Sequence, residues 1–406
     1  MYKDQIGLNT LAANVARLSN LLTRERDALP LPYLRDKDLR EAYILYYVPA
    51  NLYKIHVPLR ELSLHPAGIF RKETDMSQRL TKDDENNPPI PPLEKGGKGE
   101  FEGLFSSERL RILDLGSGPG TAILGVMDFF SSHGEKPFLE FIAVDPLSEN
   151  LMDAERLFQS FRKEVFANAS LLTIKSSIER TKSLPEGPFD MILLSNVLSE
   201  VFHPDPERIE KRVRLLASLI KRSLASDGSC IIIEPALRAT SRELLEVREG
   251  LLREGLHIYS PCLISEPCPA LVNPKDWCHE DIPWEPPATI LEIDKLTGLR
   301  KDSLKFSYLI IRKDTRSLSD IFGSNPFRVV SEPLISKGKI EYYLCGTGGR
   351  QLAVRLDKDK SKLNESFSSL KRGNIVSFEG LIDEGKRLKV DKETLVIPNL
   401  IQDLKL

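Results

Sequence analysis

No stretch of eighteen consecutive apolar residues occurs in the 406-residue chain, so no membrane-spanning helix is expected. The opening Met1-Tyr2-Lys3-Asp4 carries an early acid and no apolar signal core. Neither a secretory signal nor a transit peptide has that character, and a cytoplasmic location is the expectation. Cysteine is scarce, five in all, and in a reducing compartment these are not expected to pair as disulfides. Nor does one charge sign dominate: 57 Lys and Arg stand against 59 Asp and Glu. The balance is uneven along the chain. From Arg300 to Leu406 there are 21 Lys and Arg against 14 Asp and Glu, a local +7 that leaves −9 for the rest. A basic last quarter suits a nucleic-acid face or a solvated charged surface. With 41% hydrophobic and 29% charged residues, the chain reads as globular and long enough for two or three domains.

Residues 1–75 read as a helical region. Leu8, Leu11, Val15, Leu18 and Leu22 keep the three-four spacing of one apolar helix face. A second helix is predicted from Asp36 to Tyr47, stopped or kinked by Pro49, with Tyr43, Tyr46, Tyr47 and Tyr53 as packing residues. Residues 76–107, rich in Pro, Gly and charge, cannot bury enough surface to offset their ordering entropy and read as a disordered linker. Residues 108–320 alternate strand and helix patterns, which predicts an α/β, doubly wound parallel sheet. Asp205 with Pro206 is expected to start one of its helices, and Thr240 another that ends at Gly255. Residues 321–406 break into short strand patterns: Ile340 to Leu344, Gln351 to Leu356, Asn374 to Leu381 and Leu388 to Val396. With a hairpin turn at Gly346-Thr-Gly-Gly349, they suggest a small β-barrel of oligonucleotide-binding (OB-like) type.

The first chemical signal is Arg111-Ile-Leu-Asp-Leu-Gly-Ser-Gly-Pro-Gly-Thr121: a short apolar strand holding Asp114, then glycines at 116, 118 and 120, then an apolar helix pattern. Glycines are needed where a turn is tight and a ligand approaches the backbone closely. The D-x-G-x-G-x-G pattern resembles motif I of class I methyltransferases, which bind S-adenosylmethionine. That resemblance implies that Asp114, Gly116, Ser117, Gly118 and Gly120 hold the cofactor. Asp145, at the end of the next strand, stands where a ribose needs an acceptor, and Asn196 ends the fourth strand beside the methyl group. Catalytic residues are not legible. The Asn/Asp-Pro-Pro-aromatic element of base N-methyltransferases is replaced by Ser195-Asn-Val-Leu-Ser-Glu200, and no Pro-Cys nucleophile follows strand four or five. Glu200 and His203 are the candidates for proton handling.

The second signal is Cys262-x5-Cys268-x9-Cys278, inside a 256–287 insertion with seven prolines from Pro261 to Pro287, together with Cys345 far downstream. Four thiols suit a tetrahedral zinc or an iron–sulfur cluster. An irregular segment of that length needs something to hold it, and a bound metal does so. Cys230, within an apolar run, reads as a core residue. A radical S-adenosylmethionine enzyme, a third class, needs Cys-x3-Cys-x2-Cys, and that spacing is absent.

Pro261-Cys262, Pro267-Cys268-Pro269, Trp277-Cys278-His279 and Leu344-Cys345-Gly346, with the glycine motif and Arg40-Glu-Ala-Tyr43 through Pro49-Ala50, resemble the methyltransferase-like family associated with the mitochondrial small ribosomal subunit, which has bacterial members. The resemblance covers most of the chain except the linker. It implies a class I methyltransferase-like fold, S-adenosylmethionine binding, and a [4Fe–4S] cluster on Cys262, Cys268, Cys278 and Cys345. It also implies action on or with small-subunit ribosomal RNA in assembly or translation. The family commonly has Cys-Pro-His at the first cysteine, where this chain has Cys262-Leu263-Ile264. The expectation is a monomer, without a membrane partner, that is either a methyltransferase or a non-catalytic assembly and RNA-binding factor with a structural zinc or iron–sulfur site.

Overall fold

The computed structural model describes residues 7–26, 32–65, 109–180, 183–323, 325–385 and 387–400. The linker expected at 76–107 lies outside the described residues. Among those described, no helix is long and apolar enough to cross a membrane.

Eight strands form the first sheet: β1 (Arg109–Leu115), β2 (Phe138–Asp145), β3 (Ala169–Lys175), β4 (Phe189–Ser195), β5 (Leu224–Pro235), β6 (His257–Ser260), β7 (Glu280–Pro283) and β8 (Ser303–Arg312). Their order is β3-β2-β1-β4-β5-β8-β6, with β7 also on β8. β1 to β5 are parallel, as the alternating pattern predicts. The expectation of a wholly parallel sheet is corrected at its far edge. There β8 runs antiparallel to β5, and β6 and β7 run antiparallel to β8, so the sheet is mixed. Strand alternation sends successive side chains to opposite faces. Leu110, Ile112, Leu139, Phe141, Met191 and Ile231 therefore join one core, and Leu113, Leu115, Ile142, Val144, Ile192 and Ile232 another.

The first core includes the N-terminal helices. Helix Leu8–Thr23 buries Leu11, Ala12, Val15 and Leu18 on the predicted face. The segment predicted as one helix from Asp36 is a helix at Lys37–Ala42, a π-helical turn at Tyr43–Tyr47, and a further turn at Val48–Asn51. Pro49 does not stop the path. A proline ring collides with the carbonyl four residues back, and the widened π turn before it makes room. At Gly125, in helix Thr121–Ser132, a Cβ would stand 2.2 Å from the Leu52 carbonyl oxygen, so glycine is what lets these helices meet. Arg40 Nε donates to Asp153 Oδ2 at 3.0 Å, joining the region to helix Ser148–Glu164. Two helix starts differ from expectation. One helix begins at Arg208, with Asp205 Oδ1 accepting from the Glu207 N–H at 2.8 Å outside it. The next begins at Arg238, with Thr240 already inside and its hydroxyl donating to the Pro235 carbonyl at 2.6 Å.

Where a small barrel was expected there is a second mixed sheet of eight strands: β9 (Phe327–Val329), β10 (Leu334–Ser336), β11 (Lys339–Gly346), β12 (Gly349–Leu356), β13 (Ile375–Glu379), β14 (Ile382–Asp383), β15 (Leu388–Val390) and β16 (Leu395–Leu400). Its hydrogen-bonded path runs from β14 to β16 and, among the described residues, does not close on itself. The Gly346-to-Gly349 hairpin turn is present. The stretch Leu388 to Val396, read as one strand, is two, because a turn at Asp391–Thr394 is held by Asp391 accepting from the Glu393 and Thr394 N–H groups. The two sheets meet at a buried charge cluster. Arg328 donates to Glu61 Oε1 at 2.8 Å and to the Pro261 carbonyl at 2.7 Å, and the Tyr308 hydroxyl donates to Glu61 Oε2 at 2.6 Å.

Candidate functional site

At the carboxyl ends of β1 and β4, where the strand order reverses, an open sheet has its ligand crevice. The glycine loop lies there. Gly116, Gly118 and Gly120 all have positive φ, at 67°, 52° and 81°, which is why the loop needs glycines rather than small residues in general. They do different things. A Cβ on Gly116 would stand 2.3 Å from Val197 Cγ2, so this glycine admits the loop after β4; a Cβ on Gly120 would stand 3.3 Å from the Ala154 Cβ, so this one admits a helix. A Cβ on Gly118 would meet no atom within 4 Å, leaving its backbone open to a ligand.

The loop borders a cleft of about 410 Å³, ordinary for a small-molecule site. Asp114, Gly116, Ser117, Gly118, Asp145 and Asn196 all line it, as do Glu200 and His203. Gly120, also expected there, is not in the lining and packs toward Ala154 instead. Asp145 is 5% exposed and its carboxylate holds the loops together: Oδ2 accepts from the Gly118 N–H at 2.9 Å, and Oδ1 accepts from the Leu147 N–H at 2.9 Å and Asn150 Nδ2 at 3.0 Å. Burial raises its pKa and these donors oppose the rise. Asp114 is buried with neither oxygen hydrogen-bonded among the described residues. Burial, with Asp145 nearby, raises its pKa to about 8. Asn196 adopts φ 57°, a left-handed conformation that asparagine tolerates better than most residues. Glu200 is half-buried, and burial pushes its carboxyl up to about 8 against the opposing pull of Arg26.

Sequence reasoning missed the cleft's outer wall. Tyr33, Leu34, Arg35 and Tyr43 come from the N-terminal helices, and Asn150 adds a buried side-chain oxygen with no partner among the described residues. Arg40-Glu-Ala-Tyr43 was the only trace of that wall in the sequence, since no spacing rule connects it with residue 114.

The cysteines occupy a separate place. β6 and β7 pair with the two ends of one β8 edge, and residues 261–279 arch between them. Cys262, Cys268, Cys278 and Cys345 line one cavity of about 60 Å³ with Arg248 and His279. Among the described residues, no three His, Cys, Asp or Glu side chains stand close enough to hold a single metal ion. Burial, reinforced by the neighbouring cysteines, raises the thiols of Cys268 to about 11 and Cys345 to about 12, and that of Cys278 well above the ordinary range. His279 is stacked on Trp277, with burial lowering its pKa to about 4. Cys230 lies wholly buried in β5, as read, with its thiol raised to about 12 by burial.

A metal was expected to hold the insertion, but protein groups already grip it. From helix Arg238–Arg253, Arg242 donates to the carbonyls of Ala270, Asn273 and Asp276 at 2.8–2.9 Å. Arg248, fully buried, donates to Cys262 Sγ at 3.2 Å, to the Ile264 carbonyl at 2.6 Å and to the Glu266 carbonyl at 3.2 Å. Neither arginine stood out in the sequence, where both sit in an ordinary amphipathic helix pattern.

The family model described as mitochondrial small ribosomal subunit Rsm22 matches residues 108–372. No curated protein matches the chain. Among solved structures, it is similar to a rRNA methylase from Streptococcus thermophilus at 12% identity and TM-score 0.27, covering 51% of this chain and 88% of that one. A SAM-dependent methyltransferase from Methanosarcina mazei aligns at 14% identity and TM-score 0.31, covering 52% and 95%. Another from Aquifex aeolicus aligns at 20% and 0.27, covering 39% and 79%. With TM-scores this low, nothing further rests on these likenesses.

Proposed function

We propose a function from one premise: the chain belongs to the mitochondrial small ribosomal subunit Rsm22 family. It is a methyltransferase-type protein that binds S-adenosylmethionine beneath its glycine loop and acts on or with RNA of the small ribosomal subunit. Asp114 carries the reading. A buried carboxylate with two unpaired oxygens, on the wall of a cleft, calls for a cation. S-adenosylmethionine offers an α-ammonium and a sulfonium, and when bound it supplies a methyl group already activated for transfer, so the protein has mainly to orient an acceptor. Asp145 accepts three N–H groups of a carboxylate's roughly four acceptor positions, which leaves one for a ribose hydroxyl. The Asn150 oxygen, also unpaired, adds an acceptor. Asn196 and Glu200 border the far end of the cleft, where an acceptor would enter.

The test uses the Asp114 proton. Free protein holds that proton up to about pH 8, whereas an adjacent ammonium favours the ionised carboxylate. Binding therefore releases a proton, and affinity rises with pH, by up to about tenfold per unit between roughly pH 6 and 7.5. Calorimetric titration in buffers of different ionisation enthalpy measures both quantities. Asp114→Asn is expected to bind more weakly and to lose the pH slope. A slope that survives in the variant sinks the assignment. Methyl transfer to small-subunit RNA, assayed beside binding, separates an enzyme from a binding factor.

We read the four cysteines as thiolate ligands of a [4Fe–4S] cluster. Support comes from their placement around one cavity, since four thiolates facing a common space are what such a centre requires. A cationic centre also opposes the burial and mutual repulsion that raise the thiols of Cys268, Cys278 and Cys345. Anaerobic purification decides it: brown protein with about four iron per chain is expected, whereas one zinc or no metal overturns the reading.

A further inference from the structure

Beyond Asn196 and Glu200 the cofactor cleft meets a second chamber of about 330 Å³, and Tyr33 and Tyr43 line both. The proposed function leaves this chamber unused. Tyr46, Tyr47 and Lys54 reach it from the N-terminal helices, and Lys301 from the turn before β8. Lys54 is 7% exposed, with Glu200 lining the same chamber and Glu234 acting on its ammonium electrostatically. Burial, with Lys301 adding repulsion, lowers its pKa to about 7. The Lys301 ammonium lies 4.6 Å from the Tyr47 ring centroid and 5.7 Å from that of Tyr46. Asp294, the acid that acts on Lys301, gives its oxygens to the Tyr46 hydroxyl and the Lys301 backbone N–H.

Two lysines desolvated side by side are unfavourable even with Glu234 and Asp294 acting on them, since burial still lowers the pKa of each, and a bound anion relieves them. Aromatic rings beside ammonium groups are the chemistry that holds an unstacked nucleotide, with base against ring and phosphate against charge. A polypeptide acceptor could pair the lysines only through acidic side chains and would bring no base to place against the four rings. We infer that this chamber is the acceptor site and takes one unstacked nucleotide of single-stranded RNA, its base among the tyrosines near Asn196 and its phosphate on Lys54 and Lys301. The word acceptor rests on the cofactor reading above; the RNA contact does not.

The test is fluorescence anisotropy of the full chain with a labelled, mixed-sequence single-stranded RNA of about ten nucleotides, run beside titration with S-adenosylmethionine. Lys54→Met and Lys301→Met keep the aliphatic stem and remove the charge. Each is expected to weaken RNA binding about tenfold at low salt and to lower the salt slope by about one. Each should also raise the thermal midpoint, because a desolvated buried charge is gone, and leave cofactor affinity within about twofold. The exposed Lys163→Met, remote on helix Ser148–Glu164, is expected to change nothing. Unchanged RNA affinity in both chamber variants overturns the site, and so does an equal loss in Lys163→Met or binding of an acidic peptide in place of RNA. If RNA binding follows the two lysines while the cofactor titration is flat, the chamber stands and the cofactor reading falls.

Discussion

Gly116→Ala is expected to lose at least about 100-fold in affinity for S-adenosylmethionine. Two costs coincide there. The residue holds φ 67°, which costs an L side chain roughly 1–2 kcal/mol. Its new Cβ would also lie 2.3 Å from Val197 Cγ2 and 2.9 Å from Val197 Cβ, so the loop after β4 or the glycine loop must move. Either movement displaces a wall of the cleft. Gly134→Ala separates the two costs, because Gly134 has φ 73° but no atom within 4 Å of its Cβ position. It should lower the thermal midpoint modestly and leave cofactor binding alone. Adding Val197→Ala to Gly116→Ala removes the closest atom and should recover much of the affinity. Calorimetry on the single, control and double variants settles the matter, and wild-type binding by Gly116→Ala would sink it.

Arg248→Ala is the second large effect, of about 3–5 kcal/mol, in the range for stripping one partner from a buried charge network. The substitution leaves the Ile264 and Glu266 carbonyls and Cys262 Sγ without their donor, and the neighbouring Glu249 carboxylate without its cation. Glu249 also accepts from the Cys268 N–H at 3.1 Å, so the disturbance reaches a second cysteine. Limited proteolysis should cut within residues 261–279 early in this variant, and under the proposed cluster its iron content should fall as well. Arg248→Lys should rescue only in part, since one ammonium cannot span acceptors that a planar fork reaches together. If the metal alone organises the loop, Arg248→Ala protein loaded with metal will resist protease like the wild type, and the arginine clamp is then dispensable.

How much was legible follows from how local each cause is. The glycine loop was read correctly because a tight turn with positive φ can be written in few ways, and Gly116, Gly118 and Gly120 are among them. Strand alternation fixed β1 to β5 for the same reason. Direction at the sheet's far edge was not legible: an apolar run such as Lys305 to Ile311 reads alike parallel or antiparallel, and only its partners decide. The continuous helical path through Pro49 and the division of Leu388 to Val396 both turn on hydrogen bonds that a hydropathy pattern does not carry.

By itself, then, the sequence determined the glycine loop, the residues after β2 and β4 that face it, and the four thiols as a set. Those are local statements, set by backbone conformation and by residue chemistry. Tertiary structure decided that the N-terminal helices wall the cleft, that Asp114 finds no hydrogen-bond partner among the described residues, and that Lys54 and Lys301 share a chamber with four tyrosines. It also decided that Arg242 and Arg248 grip the cysteine loop. These depend on which groups are brought together from distant parts of the chain and kept from water. Desolvation is a property of the packed assembly, and no residue carries it alone.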